Sequence, residues 1–468
     1  MFRVSDPARV SRRKGFVPGM ALALALTAAG AGFAAPAQAQ SEKPAYSKDF
    51  AKPAQKASED LNTVRNKPEV VAEINNLVAA SNALSAAKGD AAISAAQAQF
   101  DTVAKRIQGM TVAERQEVEG LVPKATGPDD KYFAGELINF LGTFTGDREL
   151  RMKGLKLKLD SGTLKPEAVA PGWMELGQLY FGQRRNDEAR AAFDAAYKAG
   201  DTQGALFATE TYFSANRVAE GLDYLEGLIT ARTVAGQAVP QEWYGTGLTR
   251  ARDLRDGTRI GHWAGLYAAR GNTPESWNAA ISLVTQAQQY GPQEQLDAYR
   301  LMDRAGALAT EGAYTGYINA ALGPAGVAYP GEVIRIATAA KASGKIVTNG
   351  PFVDSALQKA QALVQSDKAS LAGDAAAARK AASGEDALGA GDAYLSYSMA
   401  PEAEEMFKLA LSKGGVDNDR VLTRLAIAEV DQGKYDDARA NLAKITGARA
   451  PLAAMWLAYI DTKAGRGG

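Results

Sequence analysis

The chain has 468 residues, with 53 Lys and Arg balanced by 53 Asp and Glu, one His and no Cys. That composition excludes disulfides, thiolate nucleophiles, Cys-ligated zinc and attachment of lipid through cysteine, and its balanced charge gives no sign of the basic surface that nucleic acid requires. Hydrophobic residues reach 46%, aromatics only 8%, and alanine dominates the apolar set, so the core suits closely packed helices rather than a β-sandwich rich in Val, Ile and Thr.

The first segment reads as an export signal. Arg3, Arg9, Arg12, Arg13 and Lys14 make residues 1–14 basic, residues 17–35 are apolar and rich in Gly and Ala, and Ala37-Gln38-Ala39 gives a small-x-small site. This order predicts a secretory signal peptide over 1–39, cleavage after Ala39 and a mature chain starting at Gln40. It implies a periplasmic or secreted location. No later stretch is apolar enough to span a membrane. Ser11-Arg12-Arg13-Lys14-Gly15-Phe16 resembles a twin-arginine signal with its aromatic displaced by one residue; twin arginines also occur by chance in ordinary basic leaders, which is the reading adopted.

Residues 40–127 are predicted as an extended segment followed by helices. Residues 40–55 carry two prolines and little apolar periodicity, so they are expected to be extended or disordered. Residues 68–107 read as two helices broken at Gly89-Asp90. Thr111-Val112-Ala113-Glu114 has the form of a capping box opening another. Leu155-Lys156-Leu157-Lys158-Leu159 alternates like a strand but is flanked by helical sequence, and is read as a helix end. The cations Arg148, Arg151, Lys153, Lys156 and Lys158 around it form either a solvated helix face or a site for an anionic partner.

The strongest signal is a period within 128–345, clearest at 170–235. Trp173, Leu176, Gly177, Tyr180, Ala189, Phe193 and Ala196 fall at the spacing W-x2-L-G-x2-Y-x8-A-x3-F-x2-A. Trp173, Leu176 and Tyr180 share one helix face, and Ala189, Phe193 and Ala196 share another. This pattern resembles the tetratricopeptide repeat at every main signature position except the closing proline, where Asp201 stands. Ala205, Ala208, Thr209, Tyr212, Gly221, Leu225 and Leu228 repeat it in phase. The resemblance implies an all-α, right-handed α-α superhelix in which helix pairs stack to bury faces that none covers alone.

Further along, Trp263, Leu266, Ala279 and Leu283 keep part of the signature, Trp263 standing for the first-helix tryptophan, with Tyr267 where a small residue is expected. Thr273-Pro274-Glu275-Ser276 is a helix start. Residues 292–345 read as degenerate helical repeats, with hinges expected at 323–329 and 344–351. Residues 346–383 read as Ala-rich linking helices. The pattern returns in a C-terminal block, 384–468: Gly391, Tyr394, Ala403, Phe407 and Ala410, then Leu422, Leu425, Ala426, Ala438, Leu442 and Ile445. Residues 451–464 form a closing helix.

Catalytic and metal motifs are missing, so no catalytic residue, metal ligand or cofactor is assigned. His262 is alone beside Trp263. Ser85-Ala86-Ala87-Lys88 lacks the companion motifs of a penicillin-binding site, and Asp129-Asp130 and Asp436-Asp437 sit at helix starts, where carboxylates favour the helix dipole. The resemblance implies instead a non-catalytic scaffold that takes a protein or peptide on the first helix of each pair. The positions carried over are Met174, Gln178 and Phe181, then Leu206, Glu210 and Phe213, then Arg420, Arg424 and Ile427. Phe181 and Phe213 fit core packing equally well. Arg420 and Arg424, four residues apart, share a face that suits an acidic partner or pairs with nearby Asp. Two other readings stand beside this one: a structural adaptor of an envelope or polysaccharide-export complex, and an enzyme built on an unrecognised carboxylate site.

Overall fold

A computed structural model describes residues 44–323 and 328–465; the signal segment, Gln40 and the centre of the first expected hinge lie outside them. The described residues contain 22 α-helices and no strand, and most helices pack on their chain neighbours, as in an α-helical solenoid. Two compact units divide the chain between Tyr224 and Leu225.

The first unit starts with α1 (Lys48–Arg65), α2 (Pro68–Ala86), α3 (Asp90–Met110) and α4 (Val112–Glu119). Residues 48–55 are therefore helical, against the expectation of an extended start. The cause is tertiary: Asp129 accepts from the Ala45 amide at 2.7 Å and buried Asp130 from the Ser47 amide at 3.0 Å, which seats Phe50 in the core. The predicted capping box at Thr111 does not form either. Because α3 runs directly up to it, the Thr111 hydroxyl donates back to the Ile107 carbonyl at 3.0 Å. The break at Gly89 is present, with φ of 86°.

Next come α5 (Pro128–Thr145) and α6 (Arg148–Asp160), a hairpin zipped by glycines: a Cβ on Gly142 would lie 2.4 Å from the Arg151 amide nitrogen, and one on Gly154 would lie 2.2 Å from that of Asn139. Residues 155–159 belong to α6, so the alternation there is helical. Its cations are engaged, Lys153 with Glu119 at 3.0 Å, Lys158 with Glu136 and Arg151 with Glu175. That makes this a paired face rather than a free basic patch.

The signature residues build α7 (Pro166–Gly182), α8 (Asn186–Lys198), α9 (Thr202–Ser214) and α10 (Val218–Val234), the last crossing the division between units. The second unit continues through α11 (Gln241–Asp253), α12 (Gly257–Gly271), α13 (Pro274–Gln288), α14 (Pro292–Arg304), α15 (Glu311–Leu322), α16 (Pro330–Ala342) and α17 (Gly350–Lys380). It ends with α18 (Glu385–Ser396), α19 (Ala400–Lys413), α20 (Asn418–Asp431), α21 (Tyr435–Leu442) and α22 (Ala450–Lys463). The Ala-rich segment is thus one long helix. The expected hinge at 344–351 is tied down where Glu311 accepts from the Thr348 and Asn349 amides at 2.8 and 2.6 Å.

One steric rule recurs along the chain. Phe193 lies against Gly177, Trp263 against Gly247 and Phe407 against Gly391, each ring sixteen residues downstream of its glycine. A Cβ on those glycines would lie 2.5, 2.0 and 2.6 Å from the ring. This corrects the reading of the middle segment. Trp263 is not a first-helix residue; it occupies on α12 the place that Phe193 holds on α8, with Gly247 of α11 opposite.

The turn inside four of the pairs is also shared. Arg184, Asn216, Ser398 and Gly433 have φ of 59°, 60°, 60° and 74°, and the amide after each donates to the carbonyl five residues back. Only glycine adopts this left-handed backbone without cost; Asn tolerates it better than Arg or Ser. We expect Arg184→Gly and Ser398→Gly each to stabilise the fold by about 0.5–1 kcal/mol, and Asn216→Gly by less. Denaturant titration of the three variants checks that order.

Candidate functional site

The nine positions predicted to line a partner groove separate by burial. On α7, Met174 is buried and Gln178 is partly exposed, while Phe181 packs edge-on to Phe193 at 6.4 Å. On α9, Leu206 and Glu210 are partly exposed one turn apart, and Phe213 is buried beside Gly221. The aromatic pair therefore packs within the repeats, and Gln178, Leu206 and Glu210 remain at the surface of the first unit. Trp173, expected to be buried, is only partly so, with the Lys156 ammonium 5.6 Å from its ring centre.

The C-terminal trio is different. Arg424 and Ile427 are wholly enclosed, and every residue from Val421 to Val430 is buried. The reason is that the second unit closes on itself. α22 returns to pack on α12 and α13, where Gly261 and Gly265 admit it: Cβ atoms there would come within 2.4 Å of Pro451 and 2.9 Å of Ala458. α20 packs on α14 in the same closure. The groove expected around Arg420, Arg424 and Ile427 is occupied by the unit's own helices, so Arg424 and Ile427 offer nothing to a partner.

What fills that interior is an ionic cluster. Arg300 on α14 binds Glu332 of α16 through Nε and Nη2, both at 2.8 Å, and Asp297 through Nη1 at 2.9 Å. Tyr317 donates to the same Glu332 at 2.9 Å. Arg424 reaches Asp297 at 3.2 Å, Gln293 at 2.5 Å and Asp392 of α18. Arg449, in the short turn Gly447–Arg449, binds Asp297 at 2.7 Å and Glu294 at 2.9 Å. Arg420 reaches Asp392 at 2.9 Å. Four carboxylates thus face four guanidiniums.

Burial alone would push the Asp297 carboxyl up; Arg424, Arg449 and Arg300 outweigh it and hold that carboxyl far below the usual range. Glu332 shows the same balance, its burial overcome mainly by Arg300. Arg300 is raised well above its ordinary value because Glu332 and Asp297 outweigh its desolvation. Asp297, Glu332 and Arg300 are each held ionised by their neighbours, which is the arrangement of a structural lock and not of a poised acid or base.

A smaller polar group lies beside α20. Glu404 is held down to about 2: its burial is outweighed by Lys408, Lys434 and Gln432. Buried Glu429 is pushed up by desolvation, although Asn441 donates to both its oxygens at 3.0 and 2.9 Å. His262 pairs with Glu226 at 2.9 Å. Among the described residues no cluster of His, Asp and Glu has the form of a metal site, and no helix is long and apolar enough to cross a membrane.

The ionic cluster is what sequence reasoning missed. Its members come from positions 293 to 449, and only the Arg420/Arg424 spacing signalled any of it. No protein-family model matches the chain, and no curated protein matches it.

Proposed function

We propose that the mature chain is a non-catalytic interaction scaffold of tetratricopeptide type, working in the periplasm or outside the cell and holding a protein or peptide partner on the first-helix face of its N-terminal unit. The observation that carries this reading is the contrast between equivalent positions. Gln178 and Glu210 occupy the same place in successive repeats and stay at the surface, with Leu206 one turn from Glu210. Their counterpart in the C-terminal block, Ile427, is sealed inside. Solenoids bind through faces that stacking leaves open, so the open face belongs to the first unit. The basic leader and the Ala-x-Ala site support export.

The test pairs wild type with a Gln178→Arg, Glu210→Arg variant in capture from envelope extracts, followed by binding measured with the purified captured protein. Surface changes usually alter stability by less than about 0.5 kcal/mol, so the helical spectrum and melting point should be kept while binding falls at least about tenfold. An unchanged partner list, with unchanged affinity for the purified protein, would remove this face. Mass spectrometry of the periplasmic fraction should find a mature N-terminus at Gln40.

A further inference from the structure

A cleft of about 290 Å³ opens among α13, α14 and the start of α15 in the second unit, lined by none of the residues of the ionic cluster. None of its lining residues carries a formal charge, in a chain where 23% of residues do. Its walls carry amides and hydroxyls from Asn278, Ser282, Gln295 and Thr310, with Tyr299 and Met302 as the larger apolar surfaces.

These groups are oriented before any ligand arrives. The Asn278 amide nitrogen donates to the Ala307 carbonyl at 3.0 Å, and that of Gln295 to the Tyr290 carbonyl at 2.6 Å. A carbonyl can only accept, so both amides are fixed with their oxygens turned away from those bonds and left as acceptors. Tyr299 is held by stacking on Tyr317 at 5.7 Å and 11°, and glycine at 316 makes room for its phenol, since a Cβ there would lie 2.1 Å from the hydroxyl. Neither the Tyr299 nor the Ser282 hydroxyl makes a hydrogen bond within the described residues. Burial raises the Tyr299 phenol above its ordinary value, which keeps it a donor.

We infer that this cleft binds a small uncharged polyhydroxylated ligand, a mono- or disaccharide. Sugar hydroxyls supply donors for the two fixed amide oxygens and partners for the two free hydroxyls, while Tyr299 and Met302 meet the C–H face of a sugar ring. The volume lies at the small end of ligand sites, which combine apolar walls with a few placed polar groups. A charged ligand would lose hydration without gaining a counter-ion. This inference is independent of the partner face on the first unit.

The experiment titrates the mature protein with glucose, galactose, N-acetylglucosamine and maltose by calorimetry and saturation-transfer NMR. Glucuronate and an N-acetylated tripeptide amide serve as comparisons. At least one neutral sugar should bind with one-site stoichiometry, and glucuronate should bind more weakly. Tyr299→Phe with Ser282→Ala removes only the two unpartnered hydroxyls, so the melting point should hold while affinity falls about tenfold, the loss of two modest hydrogen bonds. No binding by any neutral sugar into the tens of millimolar overturns the proposal. So does sugar binding that the double variant leaves unchanged, or preference for the tripeptide amide.

Discussion

Replacing Arg424 by Met should cost the second unit about 3–5 kcal/mol, the loss seen when one partner of a buried ion pair is removed. Met fills much of the space but leaves Asp297 and Asp392 short of a cation inside the fold. Lys should rescue little, because the guanidinium reaches three different side chains from one rigid fork, a geometry that an ammonium does not reproduce. For a unit of this size the midpoint of thermal unfolding should drop by on the order of 10 °C. Four of the five tryptophans, Trp243, Trp263, Trp277 and Trp456, are buried in this unit, so fluorescence of a Trp173→Phe background follows its unfolding. A second change, Asp392→Asn, should recover part of the loss by removing one stranded charge. The effect should also depend on pH. The folded Asp297 carboxyl lies far below its ordinary value, so the stability it contributes is complete above the ordinary carboxylate range and is lost as pH falls towards the folded value. The gap between wild type and Arg424→Met should therefore narrow in acid. An Arg424→Met protein that melts like wild type at neutral pH would show that the cluster does not hold the unit closed.

That prediction reverses what the sequence suggests about Arg420 and Arg424, and the reversal shows where sequence reading stops. Periodicity reports which face of a helix is apolar. It placed Trp173, Leu176, Gly177 and Phe193 on the correct helices, because those contacts lie within one pair. It read the closing helix at 451–464 as well, now α22 over Ala450–Lys463. It carried no information on α22 meeting α12 or α20 meeting α14, since these contacts join segments more than a hundred residues apart. Arg424 looks exposed on its own helix because its counter-charges, Asp297 and Asp392, come from elsewhere. The same limit explains residues 48–55: two prolines argue against a helix locally, and Asp129 and Asp130, some eighty residues away, decide otherwise. In the middle segment the error was one of register. Trp263 matched the tryptophan of the signature, whereas Gly247 sixteen residues earlier marks it as the ring of the second helix.

Phe193→Ala should destabilise the first unit by about 3–5 kcal/mol, and Gly177→Leu should be comparably damaging. Phe193 is wholly buried between α7 and α9, stacked on Phe207 at 5.2 Å and edge-on to Phe181. Its removal opens a cavity among Met174, Ala189, Ala196 and Ala208, where three of the four neighbours are alanines too small to fill it. At Gly177 the fault is the opposite one. A Cβ would already sit 2.5 Å from the ring, so a leucine side chain must displace Phe193 or push α7 and α8 apart. Because one substitution vacates the space that the other needs, the two should not add. The double variant should be less destabilised than the sum of the singles by about 0.5–3 kcal/mol, the range found for residues in direct contact. Hydrogen exchange across α7 to α9 reads this locally, free of the second unit. Additive losses would mean that the glycine and the ring do not share one contact, and full protection in Phe193→Ala would mean that the ring is not the element joining the repeats.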